Sequence, residues 1–327
     1  ASSHWLLAWM GLEINTLAIL PLMAQQHHPR AVEATTKYFL TQATAAATLL
    51  FATTTNAWVT GEWDINYMTH PAATALATTA LALKVGLAPL HFWLPEVLQG
   101  LDLTTGLILS TWQKLAPFAL LIQTAPAMDP TILISLGLLS TLIGGWGGLN
   151  QTQLRKILAY SSIAHLGWMV IILQFSPQLT MLTLGMYIIM TSTAFLTFKT
   201  ISSTKINTLT LTWAKNPIIT AMAALTLLSL GGLPPLTGFM PKWLILQELT
   251  KQQLPLAATI MALSALLSLY FYLRLCYAMT LTISPNTNNA TTPWRLQNNQ
   301  LSLPLAIFST ATITLLPITP AILSLTH

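Results

Sequence analysis

Four ionisable side chains stand where the sequence is otherwise apolar: Glu13 in W-M-G-L-E-I-N-T-L-A, Lys84 in A-L-A-L-K-V-G-L-A-P, Lys114 in S-T-W-Q-K-L-A-P-F and Lys242 in T-G-F-M-P-K-W-L-I-L. A charge at the centre of a bilayer costs about 2.5 to 3.5 kcal/mol on insertion scales, so such residues face a protein interior or a hydrated path. Burial disfavours the charged form of a lysine and a nearby carboxylate favours it. A buried lysine with a switchable glutamate partner therefore loads and releases a proton. Lys84 follows a long uncharged run, and Glu13 is its expected partner. The same two residues also allow a static buried ion pair that fixes helix packing. Lys114 lies too deep in its apolar stretch to snorkel comfortably, and Pro117 is expected to strain or open the helix just beyond it. His91 and His165 are the candidate relay members, because a neutral imidazole takes a proton at one nitrogen and gives it from the other. A hydrogen-bonded core histidine is the plainer alternative at both positions.

Two of these residues sit beside near-duplicate segments, G-L-A-P-L-H-F-W-L-P-E from Gly86 to Glu96 and G-L-P-P-L-T-G-F-M-P-K from Gly232 to Lys242. Both place Gly and Pro inside apolar sequence. Paired, interrupted hydrophobic segments are the mark of a transporter built from two related halves, with its ion sites at the broken helices. Lys242 occupies the place that Glu96 has in the first segment. Glu96 itself lies nearer a span end and reads as a structural partner or helix-end charge.

The elements that position these residues must be membrane helices. With 54% hydrophobic and 6% charged residues, and a mean hydropathy of +0.63, most of the exterior must face lipid. At about 20 apolar residues per span, the chain divides into segments near 4–23, 31–56, 72–98, 104–125, 130–149, 154–173, 179–200, 217–250, 254–282 and 302–325. The expectation is an all-α polytopic membrane protein of about ten spans with two broken helices. Its only sizeable loops would run from Asn56 to His70 and from Ser284 to Gln300. Alternating the connections puts Arg30, Arg155, Lys156, Lys199, Lys205, Lys215 and Arg295 on one face, and Lys251, Glu62, Asp64 and Asp129 on the other. That bias is what the positive-inside rule expects of a correct count.

The net charge of +5 comes without a basic stripe, which argues against nucleic acid as a partner. The single cysteine, Cys276, excludes a disulfide framework, a CxxC metal site and a cysteine-ligated Fe–S cluster within the chain. No phosphate-binding loop, dinucleotide fingerprint or hydrolase triad is present. Redox chemistry, if linked to this chain, is expected elsewhere. A stand-alone cation/proton antiporter and a purely structural membrane spacer remain as competing classes; the first would use the same broken helices, and the second needs no buried lysines.

Six blocks in order carry a resemblance: G-L-E-I-N-T-L-A, E-A-T-T-K-Y-F-L-T-Q-A, K-V-G-L-A-P-L-H-F-W-L-P-E-V, T-W-Q-K-L-A-P, G-G-W-G-G-L-N-Q-T-Q-L-R-K-I-L-A-Y-S-S-I-A-H-L-G-W and L-S-L-G-G-L-P-P-L-T-G-F-M-P-K-W. Together they resemble the antiporter-like membrane subunits of mitochondrial respiratory complex I, in a vertebrate form without its first residues. The resemblance implies one antiporter-like domain over 1–327 built of inverted repeats: 1–125 as a first half incomplete at its start, 126–283 as a second half, and 284–327 as a loop and C-terminal span. It implies Glu13 with Lys84 as a coupled pair, Lys114 as a central bridge and Lys242 as the exit lysine, with His91 and His165 on the polar axis between them. It also implies a proton-translocating role in NADH:ubiquinone reductase, in the mitochondrial inner membrane with the basic loops on the matrix side. Partners would be neighbouring antiporter-like subunits and lipids such as cardiolipin. NADH, FMN, Fe–S clusters and ubiquinone would serve the complex, with no cofactor in this chain.

Overall fold

Proline and glycine punctuate this chain where helix chemistry asks for them. Among the described residues six helices begin at a proline, where the missing N–H costs nothing. The computed structural model describes residues 3–25, 27–281 and 303–326. Its helices are α1 (Trp5–Ala24), α2 (Pro29–Thr60), α3 (Pro71–Val85), α4 (Trp93–Gly100), α5 (Leu103–Thr124), α6 (Pro130–Gly148), α7 (Leu154–Ile172) and α8 (Pro177–Ile201). They continue as α9 (Ile206–Leu209), α10 (Thr212–Lys215), α11 (Pro217–Gly231), α12 (Phe239–Lys251), α13 (Pro255–Thr280), α14 (Leu303–Thr314) and α15 (Thr319–Thr326).

Each expected span meets a helix or a helix pair. The segment 72–98 is α3 and α4, and 217–250 is α11 and α12. Both breaks have the same construction. Gly86 turns α3 off at φ +88° and Gly232 turns α11 off at φ +80°, a left-handed conformation open to glycine. Leu87 N then donates to Ala82 O and Leu233 N to Leu228 O, which closes each helix end with a Schellman-type bond. A cis peptide bond follows in each case, Ala88–Pro89 and Pro234–Pro235.

Three boundaries differ from the sequence reading. Helix α2 continues to Thr60, so Asn56 is helical; it is held by bonds to Tyr67 O and His70 N rather than opening a loop. Pro117 lies inside α5 and the helix runs on through it. The last segment is bent by 64° between α14 and the turn that leads into α15, around Pro317 and Pro320. The expected loop from Ser284 to Gln300, with Arg295, lies outside the described residues.

By length and apolar character alone, five helices among the described residues suffice to cross a membrane: α1, α5, α6, α8 and α13. The others are broken, shorter, richer in threonine or, like α7 with Arg155, Lys156 and His165, more charged and polar. Threonine is tolerated because its hydroxyl bonds back to a carbonyl three or four residues earlier, as Thr36, Thr44, Thr48, Thr54 and Thr55 do along α2.

Small residues let α6 and α7 approach closely: a Cβ on Gly144 would lie 2.6 Å from Ala164 N, and one on Gly167 would lie 2.7 Å from Gly137 O. Some of the basic residues expected on one face lie near other span ends. Arg30, Lys37, Glu96 and Lys156 line one surface cavity, Arg155 bonds Leu101 O, and Gln153 bridges to Lys205. Arg274 donates to Leu149 O at 2.7 Å, which closes the C-terminus of α6.

Candidate functional site

The first break aims Lys84 inward. It sits in the last turn of α3, only 6% exposed, and its Nζ has no hydrogen-bond partner. Neutral donors satisfy the carbonyls around it: Trp93 Nε1 reaches back from α4 to Leu83 O at 3.0 Å, and Gln42 Nε2 lies 3.4 Å from Lys84 O. Lys84 faces a cavity of about 20 Å³ shared with Asn15, Gln42, Gln113 and Lys114. That is room for one water molecule.

Glu13, on α1, does not form the expected direct pair with Lys84. The described residues contain no Glu13–Lys84 ion pair, and Glu13 Oε2 is buried without a partner. Glu13 acts on Lys84 and Tyr38 only through space. Sequence supplies the two charges, while their separation is set by where α1 leans on α2 and α5.

One contact between α1 and α5 escaped the sequence reading. Asn15 Nδ2 donates to Gln113 Oε1 at 2.8 Å, and Gln113 Nε2 donates back to Asn15 Oδ1 at 3.2 Å. This reciprocal amide pair joins the helix of Glu13 to that of Lys114 at the cavity wall. Pro117 also lines the cavity; lacking an N–H, it leaves the Gln113 carbonyl without its helical donor.

Lys114 borders the same cavity from α5 and is 3% exposed. Its Nζ donates to Tyr187 Oη at 2.9 Å and lies 4.9 Å from the centre of the tyrosine ring. The ring of Tyr187 also meets His165, with ring centroids 5.8 Å apart. His165 and Lys242 in turn line a second cavity of about 20 Å³, with Thr183, Met190, Gly238 and Pro241. Two water-sized cavities thus lie either side of Lys114, Tyr187 and His165, with Lys84 at one end and Lys242 at the other.

The second break treats its lysine differently. Lys242 folds back from α12 and donates to Gly231 O at 2.7 Å, with Leu230 O at 3.4 Å, so an ammonium closes the negative end of α11. Gly232 makes room for it: a Cβ there would lie 2.8 Å from Lys242 Cδ.

His91 is buried at 3% exposure, with Nδ1 unpartnered and its ring 6.4 Å from that of Tyr160. It lies in the break but does not line the Lys84 cavity. Glu96 does take a structural partner, since Lys37 Nζ sits 2.7 Å from both Glu33 and Glu96 at the surface. Tyr187, Asn15 and Gln113 carry no charge, so composition gave no cue to them; only the placement of α1 and α8 against α5 reveals them.

Comparisons with known proteins bear on the family and the fold. Residues 2–268 match the family model described as NADH:quinone oxidoreductase/Mrp antiporter, TM, and residues 269–323 match that of the NADH dehydrogenase subunit 2 C-terminus. The chain is 76% identical to the NADH-ubiquinone oxidoreductase chain 2 of Carassius auratus over 326 residues, covering 100% of this chain and 94% of that protein. The Cyprinus carpio chain 2 is 75% identical over 326 residues, with the same coverage of each chain. A chain of respiratory complex I from Thermus thermophilus, solved with bound aureothin, superposes with a TM-score of 0.86 at 28% identity, covering 99% of this chain and 75% of that one. With two broken helices, a lysine beside each break and matches that run almost end to end, the chain belongs to the NADH:quinone oxidoreductase/Mrp antiporter transmembrane family, in its NADH dehydrogenase subunit 2 branch.

Proposed function

We propose that this chain, a proton-translocating subunit of the complex I membrane arm, moves protons along Glu13, Lys84, Lys114 and Lys242, with His91 and His165 as relay members. The observation that carries the reading is the pair of water-sized cavities: Lys84 and Lys114 share one, His165 and Lys242 share the other. Quinone reduction elsewhere in the complex changes the charge at one end of this axis. The interaction of Glu13 with Lys84 responds, and a proton shifts by way of Lys114 and His165 to Lys242. Electrostatics suffice to carry the signal, because a unit charge at about 7 Å with an effective dielectric near 20 is worth roughly 2 kcal/mol. The missing Glu13–Lys84 ion pair suits a switch better than a permanent staple.

The two halves are 1–125 and 126–283, each contributing one broken helix, with 284–327 as the closing loop and span. NADH, FMN, the Fe–S clusters and ubiquinone are held by other subunits, which the single cysteine and the lack of a nucleotide motif support. The chain lies in the mitochondrial inner membrane with its basic end toward the matrix. Its neighbours are other antiporter-like subunits, and lipids such as cardiolipin cover its apolar faces.

The test is Lys84→Met in intact complex I, reading protons moved per electron pair, NADH oxidation and assembly on a native gel. An assembled complex with a sharply lower ratio or turnover supports the path. An assembled complex with both unchanged makes the buried lysine structural and overturns it.

A further inference from the structure

Tyr187 touches both Lys114 and His165, the residues at which the two halves of the site approach each other. Its ring is 1% exposed, and its hydroxyl makes two contacts with α5. It accepts from Lys114 Nζ at 2.9 Å and donates to the carbonyl of Ser110, one helical turn earlier, at 3.1 Å. Thr183 and Met190, on either side of it along α8, both line the cavity of His165 and Lys242. The tyrosine therefore links Lys114 to the residues around His165.

A phenol has one proton to donate. While Lys114 is an ammonium it has no lone pair, so the tyrosine oxygen accepts from it and the hydroxyl proton turns to Ser110 O. Once Lys114 has given up its proton, the neutral amine is an acceptor. The hydroxyl can then turn from Ser110 O to Lys114 Nζ. The direction of one O–H bond thus follows the charge of Lys114, and in either state Tyr187 holds the amine beside the ring that meets His165.

We infer that Tyr187 is a positioning residue for the step between Lys114 and His165. It keeps the charged amine hydrogen-bonded beside His165 until transfer, then donates to the neutral amine and disfavours return of the proton. The proton that moves is the ammonium's own; Tyr187 ends each step with the hydroxyl proton it began with. This rests on the proposed role of Lys114, so the experiment tests the two separately.

Tyr187→Phe keeps the ring and removes only the hydroxyl. It is compared with Lys114→Met and with the double variant in intact complex I, scoring assembly, ubiquinone KM, maximal turnover and protons per electron pair. The expected result for Tyr187→Phe is normal assembly, an unchanged KM and a fall of several-fold in coupled turnover, or a clear drop in the proton ratio. The double variant should match Lys114→Met alone, because Tyr187 acts through that amine. Wild-type behaviour of Tyr187→Phe beside an impaired Lys114→Met overturns the role of Tyr187 and leaves the path standing. An unimpaired Lys114→Met overturns the path and this proposal together. A double variant much worse than Lys114→Met gives Tyr187 a separate packing role and overturns its positioning one. If Tyr187→Phe does not assemble, redox-induced infrared difference spectra of complex I with ring-labelled tyrosine decide. A tyrosine C–O band that shifts in the native complex and is still in Lys114→Met supports the switch, and a band present in both overturns it.

Discussion

Lys242 Nζ lies 2.7 Å from the carbonyl oxygen of Gly231, so the side chain of one half of a broken helix closes the end of the other half. At the first break, the indole of Trp93 takes the corresponding part by donating to Leu83 O. One break is held by a charge that can titrate and the other by a donor that cannot. Lys84 is left without a hydrogen-bond partner beside its cavity, while Lys242 is tethered.

Replacing Lys242 with methionine should therefore do two things at once. Translocation should fall with the loss of the terminal amine. The end of α11 should also loosen, at a cost of about 1 to 3 kcal/mol for carbonyls left without a donor. Protons per electron pair report the first effect, and the unfolding temperature of the isolated complex reports the second. Lys84→Met, which uncaps nothing, should lower the ratio without a comparable thermal shift.

Gly232→Ala should be costly for two reasons. A left-handed φ costs about 1 to 2 kcal/mol in a residue with a Cβ. The added methyl would also push against Lys242 Cδ at 2.8 Å. The expected outcome is reduced assembly and, in the complex that does form, impaired pumping. Gly11→Ala, where a Cβ meets nothing within 4 Å, should leave both unchanged and serves as the control.

Gln113→Leu should strand the amide of Asn15, at a cost of about 1 to 3 kcal/mol. Replacing both residues with leucine removes the unpaired group, so the double variant should assemble better than either single one. Its pumping should nonetheless be lower than wild type, because the cavity between Lys84 and Lys114 loses two polar walls. Native-gel yield and the proton ratio, read in the same membranes, separate the two effects.

Lys37→Met removes a surface cation bridging Glu33 and Glu96, with all three side chains well exposed. Solvent and salt screen such a cluster. Assembly, turnover and the proton ratio should all stay at wild-type values. A loss of pumping here would mean that the basic-end cavity belongs to the proton route.

Much of the fold could be read from the residues because apolar length and helix punctuation are local. The ten segments, the two glycine-proline breaks and the inward lysines all follow from runs of composition. What lies between the lysines is not local. Glu13 is the partner that sequence offers Lys84, as a carboxylate able to tune a buried lysine, yet the packing of α1 leaves no ion pair between them. Pro117 was expected to open α5, but the helix runs through it, and the local effect is one carbonyl relieved of its donor. Tyr187 went unnoticed because a tyrosine in an apolar helix is ordinary until its hydroxyl is found against Lys114. The bend near Pro317 was missed because its flanks are apolar enough to pass for one straight span.

The threonines of α2 carry their polar groups folded inward, each hydroxyl occupied by the helix's own backbone. To a surrounding acyl chain such a residue presents mainly its methyl group. A helix of this kind is oilier than its letters suggest, which is why α2, at 32 residues, falls outside the set picked by apolar character alone. Exchange among threonine, alanine and isoleucine on that face should be nearly invisible to lipid. The outer skin of the protein should tolerate such exchanges, where the polar spine inside it should not.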